Sequence, residues 1–127
     1  MQFLRVLPFL LVLVVILASG LRPEPVPQLF DQQDKLHHLL GFAAFAFTLR
    51  LAFPRMHFVW TLLISVVAAL TIEIGQGMLP HRTPSMGDML ANMLGVLCGW
   101  MASMPVRAWL RRRQDSLLVD EVVAPGA

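Results

Sequence analysis

Charged residues are scarce in this chain of 127 residues, at 14%, whereas a soluble domain carries about 25%. Apolar residues make up 57%, above the roughly 45–50% of soluble domains. With a mean hydropathy of +0.67, the chain has too little polar surface to cover itself in water. The shortage of charge therefore excludes an ordinary soluble globular domain and a disordered chain, and it indicates a bilayer as the solvent.

Cysteine occurs once, at Cys98, and tyrosine is absent. One thiol cannot form an internal disulfide, and no second cysteine completes a zinc or redox pair. The sequence also lacks the His-Glu-x-x-His zinc motif, so we expect no metal and no cofactor. The polar–apolar alternation of strands is missing as well, which disfavours a membrane barrel.

Four long apolar segments are present instead, at about 3–19, 36–53, 58–79 and 86–104. At 1.5 Å per residue each spans about 26–33 Å, which matches the hydrocarbon core of a membrane. The predicted fold is an all-α membrane protein, a four-helix transmembrane bundle in one domain. Its predicted layout is a first helix in 1–20, an outer proline-rich loop in 21–35, helices two to four in 36–113 and a disordered cytoplasmic tail in 114–127.

The first segment has a second interpretation. Arg5, the apolar run that follows it and the small residues Ala18, Ser19 and Gly20 are also typical of a signal peptide with a cleavage site. Because three further spans follow, we favour an uncleaved helix.

Basic residues predict the orientation of the bundle. With the N-terminus inside, seven of the ten lie on the cytoplasmic side: Arg5, Arg50, Arg55, Arg107, Arg111, Arg112 and Arg113. The other three, Arg22, Lys35 and Arg82, lie outside. This asymmetry favours an N-in, C-in topology. The clusters indicate membrane orientation rather than nucleic-acid binding, so no nucleic-acid partner is expected.

Polar side chains gather at the predicted outer ends of the helices, and we expect them to form one pocket. Ionisable groups at membrane depth cost about 2.5–3.5 kcal/mol each, so they usually pair or serve function. Three pairs have helical spacing and share a face, and a loop arginine and a lysine lie close by. The predicted ligand-binding residues are Asp34, Lys35, His38, Glu73, Gln76, Arg82, Asp88 and Asn92.

Several of these residues also have a purely structural interpretation. Asp34 can act as a helix N-cap, and Lys35 can extend to lipid headgroups. Glu73 can form a structural ion pair with Arg82 or Lys35. Asn92 can join two helices.

Helix four carries a stripe of small residues, Ala91, Gly95, Gly99 and Ser103, one every four positions. Such a stripe lets another helix approach closely. We favour packing inside the bundle over a dimer interface, and the oligomeric state stays open.

Three elements of the chain resemble the VanZ-like family. Asp34-Lys35-Leu36-His37-His38 resembles the D-K-[IL]-x-H opening of the family, and Glu73-Ile74-Gly75-Gln76 resembles its E-x-x-Q element. The stretch from Arg82 to Gly95 resembles its R-x5-D-x3-N-x2-G element. The resemblance covers about residues 31–100 and carries over the same eight positions. It implies a small multi-pass protein of the bacterial inner membrane, in a family named for a member linked to teicoplanin resistance.

The favoured function is binding in the cell envelope. The outer pocket would hold a polar or charged headgroup, with membrane lipids and a lipid-linked cell-wall precursor as the expected partners. The resemblance adds glycopeptide-related ligands and antibiotic resistance to the hypotheses.

The alternative is a membrane-embedded enzyme that acts on an envelope lipid. In it, His38 would be a general base oriented by Asp34, and Glu73 a general acid. A metal-assisted form would use His38, Glu73 and Asp88. Because no Ser or Cys nucleophile stands in a recognised setting, we lean against catalysis. Proton-coupled transport is a third hypothesis, disfavoured because the inner halves of the helices lack a polar relay.

Overall fold

A computed structural model of the chain describes residues 2–22, 27–80, 85–124 and 126. Within these ranges the chain forms four helices and no strand: α1 (Gln2–Gly20), α2 (Gln33–Ala52), α3 (Phe58–Gly77) and α4 (Met86–Val123). The predicted all-α, four-helix fold is therefore confirmed. Residues 23–26 of the predicted proline-rich loop and the loop residue Arg82 lie outside the described residues.

Three of the described helices, α1, α3 and α4, are long and apolar enough to cross a membrane. Helix α2 has 20 residues, which is about 30 Å, but its first turns carry Asp34, Lys35, His37 and His38. These side chains lower its hydropathy. The polar residues are tolerated because α2 packs against both α1 and α4, so part of its surface faces protein rather than lipid.

The helix ends differ from the predicted ones by a few residues. Helix α2 begins at Gln33, after Gln32 in a left-handed conformation with φ 67°, so it extends into the predicted outer loop. Asp34 therefore lies inside the first turn rather than at the cap, where a carboxylate still favours the helix dipole. Ser85 caps α4, because its Oγ accepts the N–H of Gly87 at 3.1 Å.

Helix α4 continues well beyond the predicted span. It has 38 residues, contains Pro105 and extends to Val123, where we expected a disordered tail. The residues after Pro105 are largely arginine, leucine and other good helix formers, and one proline interrupts only part of the backbone hydrogen bonding. The helical extension from Gln114 to Val123 is exposed and packs against nothing described.

The close contact between α2 and α4 organises the bundle. A Cβ atom on Gly95 would collide with the backbone carbonyl oxygen of Leu39, and one on Gly99 with that of Ala43. The other two members of the small stripe, Ala91 and Ser103, are buried too. The whole stripe of α4 is thus covered inside the chain.

An apolar core fills the space between α1, α2, α3 and α4. Phe9 of α1 lies 5.3 Å, ring centre to ring centre, from Phe45 of α2. The buried members of the core are Ile16, Phe42, Phe45, Ala46, Leu49, Ala69, Ile72 and Val96. The outer face of α1 is exposed at Phe3, Leu7 and Leu11, and in a bilayer these side chains would contact lipid chains.

The alternating helix directions give the bundle two different ends. We call the end that holds Gly20, Gln33, Gly77 and Met86 the polar end, and the opposite one the arginine end. At the arginine end, the guanidinium of Arg50 stacks on the ring of Trp100, 3.2 Å from its centre.

Polar atoms are more frequent in the arginine half than the sequence led us to expect. Arg107 donates a hydrogen bond to the carbonyl oxygen of Pro54. Arg50, Thr61 and Ser65 are buried there as well. Ser65 Oγ donates a hydrogen bond to the carbonyl oxygen of Thr61 at 2.7 Å, so this hydroxyl is satisfied within its own helix. Thr61 Oγ1 has no hydrogen-bond partner among the described residues.

Candidate functional site

Three helices bring titratable side chains together at the polar end. Lys35 and His38 come from α2, Glu73 from α3, and Asp88 and Asn92 from α4. We call these five residues the polar cluster. Lys35 and Asp88 lie near the starts of their helices, and Glu73 lies one turn before the end of α3. Helices α2 and α4 start at the end of the bundle where α3 finishes. Residues near the starts of α2 and α4 and near the end of α3 therefore lie at a similar depth in the bundle.

His38 is held between two side chains of α4. Its Nδ1 lies 2.9 Å from Asn92 Oδ1, where the ring N–H donates to the amide oxygen. Its Nε2 faces Asp88 Oδ2 at 3.8 Å. That separation is longer than a hydrogen bond, for which about 2.7–3.2 Å is usual. The contact with Asn92 therefore fixes the ring and directs Nε2 toward the carboxylate.

Lys35 joins the cluster to the surface of the bundle. Its Nζ lies 3.7 Å from Asp88 Oδ1 and 3.7 Å from Asp34 Oδ2. The side chain of Asp34 is 41% exposed, whereas that of Asp88 is 9% exposed. Lys35 thus connects a buried carboxylate with an exposed one, and its stem lies against Gly87, where a Cβ atom would come within 2.7 Å of Lys35 Cε.

Glu73 is buried, with 6% of its surface exposed, and only one of its two oxygens has a partner. Oε2 accepts the backbone N–H of Ser85 at 3.3 Å, which attaches α3 to the start of α4. Oε1 has no hydrogen-bond partner among the described residues. A buried carboxylate oxygen without a donor is costly, so this atom is available to a ligand.

Two further buried atoms of the cluster are in the same condition. Asp88 Oδ1 and Asn92 Nδ2 have no hydrogen-bond partner in the described part of the chain. Asp88 Oδ1 has only the ammonium of Lys35 nearby, at an ion-pair distance rather than a hydrogen-bond distance. Two unpaired acceptors and one unpaired donor therefore share one end of the bundle.

A ligating nitrogen or oxygen of His38, Glu73 and Asp88 also lies close enough to surround a metal ion. One such atom from each residue lies within 4.8 Å of the others. Glu73 and Asp88 are buried and His38 is half-buried, so this group differs from exposed acidic clusters.

Two of the eight predicted ligand-binding residues, Asp34 and Gln76, lie apart from this geometry. Asp34 reaches the cluster only through Lys35, and the ring of His38 is bound by Asn92 rather than oriented by Asp34. Gln76 is buried but donates from Nε2 to the carbonyl oxygen of Gly20 at 2.8 Å, which ties α3 to the end of α1. Arg82 lies outside the described residues.

Sequence analysis missed two features that the fold makes plain. The backbone N–H of Ser85 donates a hydrogen bond to Glu73, a contact that the sequence does not indicate. On α3, Thr61, Ser65 and Ala69 form a buried stripe that leads along one face toward Glu73. The spacing of four residues was the available signal, the same one that reveals the stripe on α4.

Comparison with known proteins gives one family. A model of the family described as VanZ/LLP1 matches residues 4–109, which is most of the chain and includes every member of the polar cluster. No curated protein matches the chain, and no solved structure does.

Proposed function

Because the chain belongs to the VanZ/LLP1 family and has three helices able to span a bilayer, we propose that this membrane protein binds a polar headgroup at the polar cluster. One observation carries the proposal. Glu73 Oε1, Asp88 Oδ1 and Asn92 Nδ2 are buried at one end of the bundle without hydrogen-bond partners among the described residues. Unpaired buried atoms also occur at the arginine end, on Arg50, Thr61 and Arg107. At the polar end, however, they lie beside two buried carboxylates and an imidazole from three helices, which favours a ligand there.

The unpaired atoms suggest the chemistry of the headgroup. Two carboxylate oxygens call for hydroxyl or amine donors, and the Asn92 amide calls for an acceptor. The ammonium of Lys35, which is partly exposed, suits a phosphate or carboxylate at the rim. A sugar or amino-sugar carried on a lipid phosphate has all of these groups. A lipid-linked cell-wall precursor is therefore the proposed ligand class. A glycopeptide-related ligand carries the same hydroxyl, amine and anionic groups and is the alternative.

The proposed placement is the bacterial inner membrane, N-in and C-in, with the polar end in the outer leaflet. The basic residues support this orientation. Arg50 lies at the arginine end of α2, and Arg107, Arg111, Arg112 and Arg113 lie on α4 at or beyond that end. Positive charge marks cytoplasmic flanks, so the polar end would face outward.

Lipid retention tests the proposal. The protein is purified in a mild detergent from bacteria that make labelled cell-wall precursors, and co-purified lipids are identified by mass spectrometry. Asp88→Asn and Lys35→Ala should each reduce retention of one headgroup class at least about tenfold, which corresponds to roughly 1.4 kcal/mol. Arg82→Ala is purified in the same way, and its content of anionic lipids is compared with that of the unchanged protein.

His37→Ala is the matched control, because His37 is exposed and adjacent in sequence to His38. It should retain the lipid as the unchanged protein does. If Asp88→Asn, Lys35→Ala and Arg82→Ala all retain the same lipids at the same ratio while staying folded, the polar cluster does not bind a headgroup.

The same samples separate binding from catalysis. The enzyme hypothesis in its original form needs Asp34 beside the ring of His38, but the ring is bound by Asn92, which leaves the proposed base without that orienting group. Binding predicts that a labelled envelope lipid is recovered intact after incubation with the protein. Turnover that is lost in Glu73→Gln would establish an enzyme instead.

A further inference from the structure

We infer that His38, Glu73 and Asp88 form a binding site for one divalent cation of the zinc type. One nitrogen or oxygen atom from each residue lies within 4.8 Å of the others, and the three residues come from three different helices. The cation would share Glu73 Oε1 with the proposed headgroup, but its test uses zinc alone, so the two proposals can fail separately.

Hydrogen bonds to the described residues leave donor atoms of this site free to bind a cation. A metal ion needs lone pairs that are not already used by the protein. Glu73 uses Oε2 for the N–H of Ser85 and leaves Oε1 without a partner. Asp88 Oδ2 faces His38 Nε2 at 3.8 Å without a hydrogen bond. Glu73 and Asp88 are each 6% exposed, so bulk solvent has little access to these donor atoms.

The second argument is the orientation of the imidazole. Histidines that bind metals usually donate their other ring N–H to an oxygen, which fixes the tautomer and the direction of the lone pair. His38 does this through Nδ1, which donates to Asn92 Oδ1 at 2.9 Å. The lone pair of Nε2 then points toward Asp88, where two electron-rich atoms face each other unless a cation lies between them.

The spacing of the donor atoms and their combined charge also suit a zinc ion. Zinc bonds of about 2.0–2.2 Å in a tetrahedron place ligand atoms about 3.3–3.5 Å apart. The 3.8 Å between His38 Nε2 and Asp88 Oδ2 is already near this value. All three donor atoms lie within 4.8 Å of one another, so binding zinc requires them to approach by about 1.5 Å at most. A doubly positive ion would also balance the charges of Glu73 and Asp88. Lys35 Nζ, 3.7 Å from Asp88 Oδ1, approaches the other oxygen of that carboxylate and leaves Oδ2 to the metal.

The donor set selects among metals. One imidazole with two carboxylates suits zinc, whereas magnesium prefers oxygen ligands and keeps several waters. Three protein ligands leave a fourth tetrahedral position for water or another oxygen ligand, as in zinc sites that are open to small molecules.

Calorimetric titration tests the site. The protein carries an affinity tag without histidine, is treated with a chelator, dialysed and titrated in detergent with zinc chloride. We expect one zinc per chain, with millimolar magnesium unable to compete. His38→Gln, Glu73→Gln and Asp88→Asn should each weaken zinc binding about 100-fold or more, since loss of a supporting group alone costs about 10–100-fold. Asn92→Leu should weaken it within that smaller range.

Two matched controls define the site. His37→Gln removes the neighbouring exposed imidazole, and Cys98→Ser removes the exposed thiol; both should leave zinc affinity unchanged. Circular dichroism and size-exclusion chromatography confirm that each variant is folded.

X-ray absorption of the zinc-bound unchanged protein gives a result that needs no variant. It should show nitrogen and oxygen neighbours near about 2.0–2.1 Å and no sulfur near about 2.3 Å. Absence of saturable zinc binding in the folded protein would overturn the inference, as would unchanged affinity in Glu73→Gln and Asp88→Asn. In that case His38 and Asp88 form a plain ion pair.

Discussion

The close contact of α2 and α4 predicts that adding one methyl group to Gly99 destabilises the protein. A Cβ atom there would lie 2.9 Å from the carbonyl carbon of Ala43 and 3.1 Å from its Cα, and it would overlap the carbonyl oxygen as well. These atoms belong to the backbone and cannot rotate away. Because the carbonyl oxygen is the nearest of these atoms, the helices must separate by more than about 1 Å here to reach an ordinary contact of 3.4 Å.

The magnitude follows from two opposing effects. Overpacking a well-packed contact costs about 1–3 kcal/mol, and a rigid backbone obstacle favours the upper end of that range. Alanine is a better helix former than glycine by about 0.8–1.0 kcal/mol, which offsets part of the cost. We therefore expect Gly99→Ala to lower the free energy of unfolding by about 2 kcal/mol, a roughly 30-fold change in the ratio of folded to unfolded protein.

The assay is reversible unfolding in mixed micelles, followed by circular dichroism. Gly41→Ala is the matched control, because Gly41 is also inside a helix but its added Cβ would meet only the side chain of Ile16 at 3.4 Å. It should be neutral or slightly stabilising. If Gly99→Ala is as stable as Gly41→Ala, the two helices do not pack at this distance and the reasoning fails. Separation should also lengthen the contact of His38 with Asn92, so lipid retention should fall with stability.

Three further predictions concern single contacts and use the same unfolding assay. Ser85→Ala should cost about 0.5–2 kcal/mol by removing the cap of α4, and Ser85→Asp should restore it, whereas equal stability of both variants would argue against the cap. Gln76→Leu should cost about 1 kcal/mol and speed amide exchange near Gly20, while unchanged exchange there would contradict the tie between α1 and α3. Arg50→Lys should cost about 1–2 kcal/mol because the planar stack on Trp100 is lost, and a neutral result would refute that stack.

The proposed resistance role gives a separate prediction in cells. Expression of the chain in a susceptible bacterium should raise the minimum inhibitory concentration of teicoplanin, and Asp88→Asn at equal expression should not. Unchanged susceptibility with the unaltered chain would reject resistance while leaving headgroup binding to its own test.

Much of the sequence prediction depended on the spacing of residues within single helices. The lengths of the apolar segments predicted four helices. The spacing of Asp88 and Asn92 predicted that both lie on one face of a helix, and both face His38 in the structure. The stripe through Gly95 and Gly99 likewise marked the face of α4 that α2 covers. Such features depend only on the period of a helix.

Contacts between helices were harder to predict, because they depend on rotations and offsets that spacing does not contain. The i,i+4 rule paired His38 with Asp34, but Asn92 on α4 competes for the same ring and binds it. Gln76 shares a helix with Glu73 and yet turns to the carbonyl oxygen of Gly20. The prediction ended the helices at Arg113 and took the polar residues from Gln114 onward as a disordered tail, whereas α4 continues to Val123.

An experimental structure of the protein in lipid nanodiscs, prepared from bacteria with their own envelope lipids, tests the central claim most directly. Headgroup binding predicts ligand density at the polar end, with atoms within about 3.2 Å of Glu73 Oε1, Asp88 Oδ1 and Asn92 Nδ2. It would be contradicted by a ligand-free polar end in which these three atoms are all paired with side chains of the protein itself.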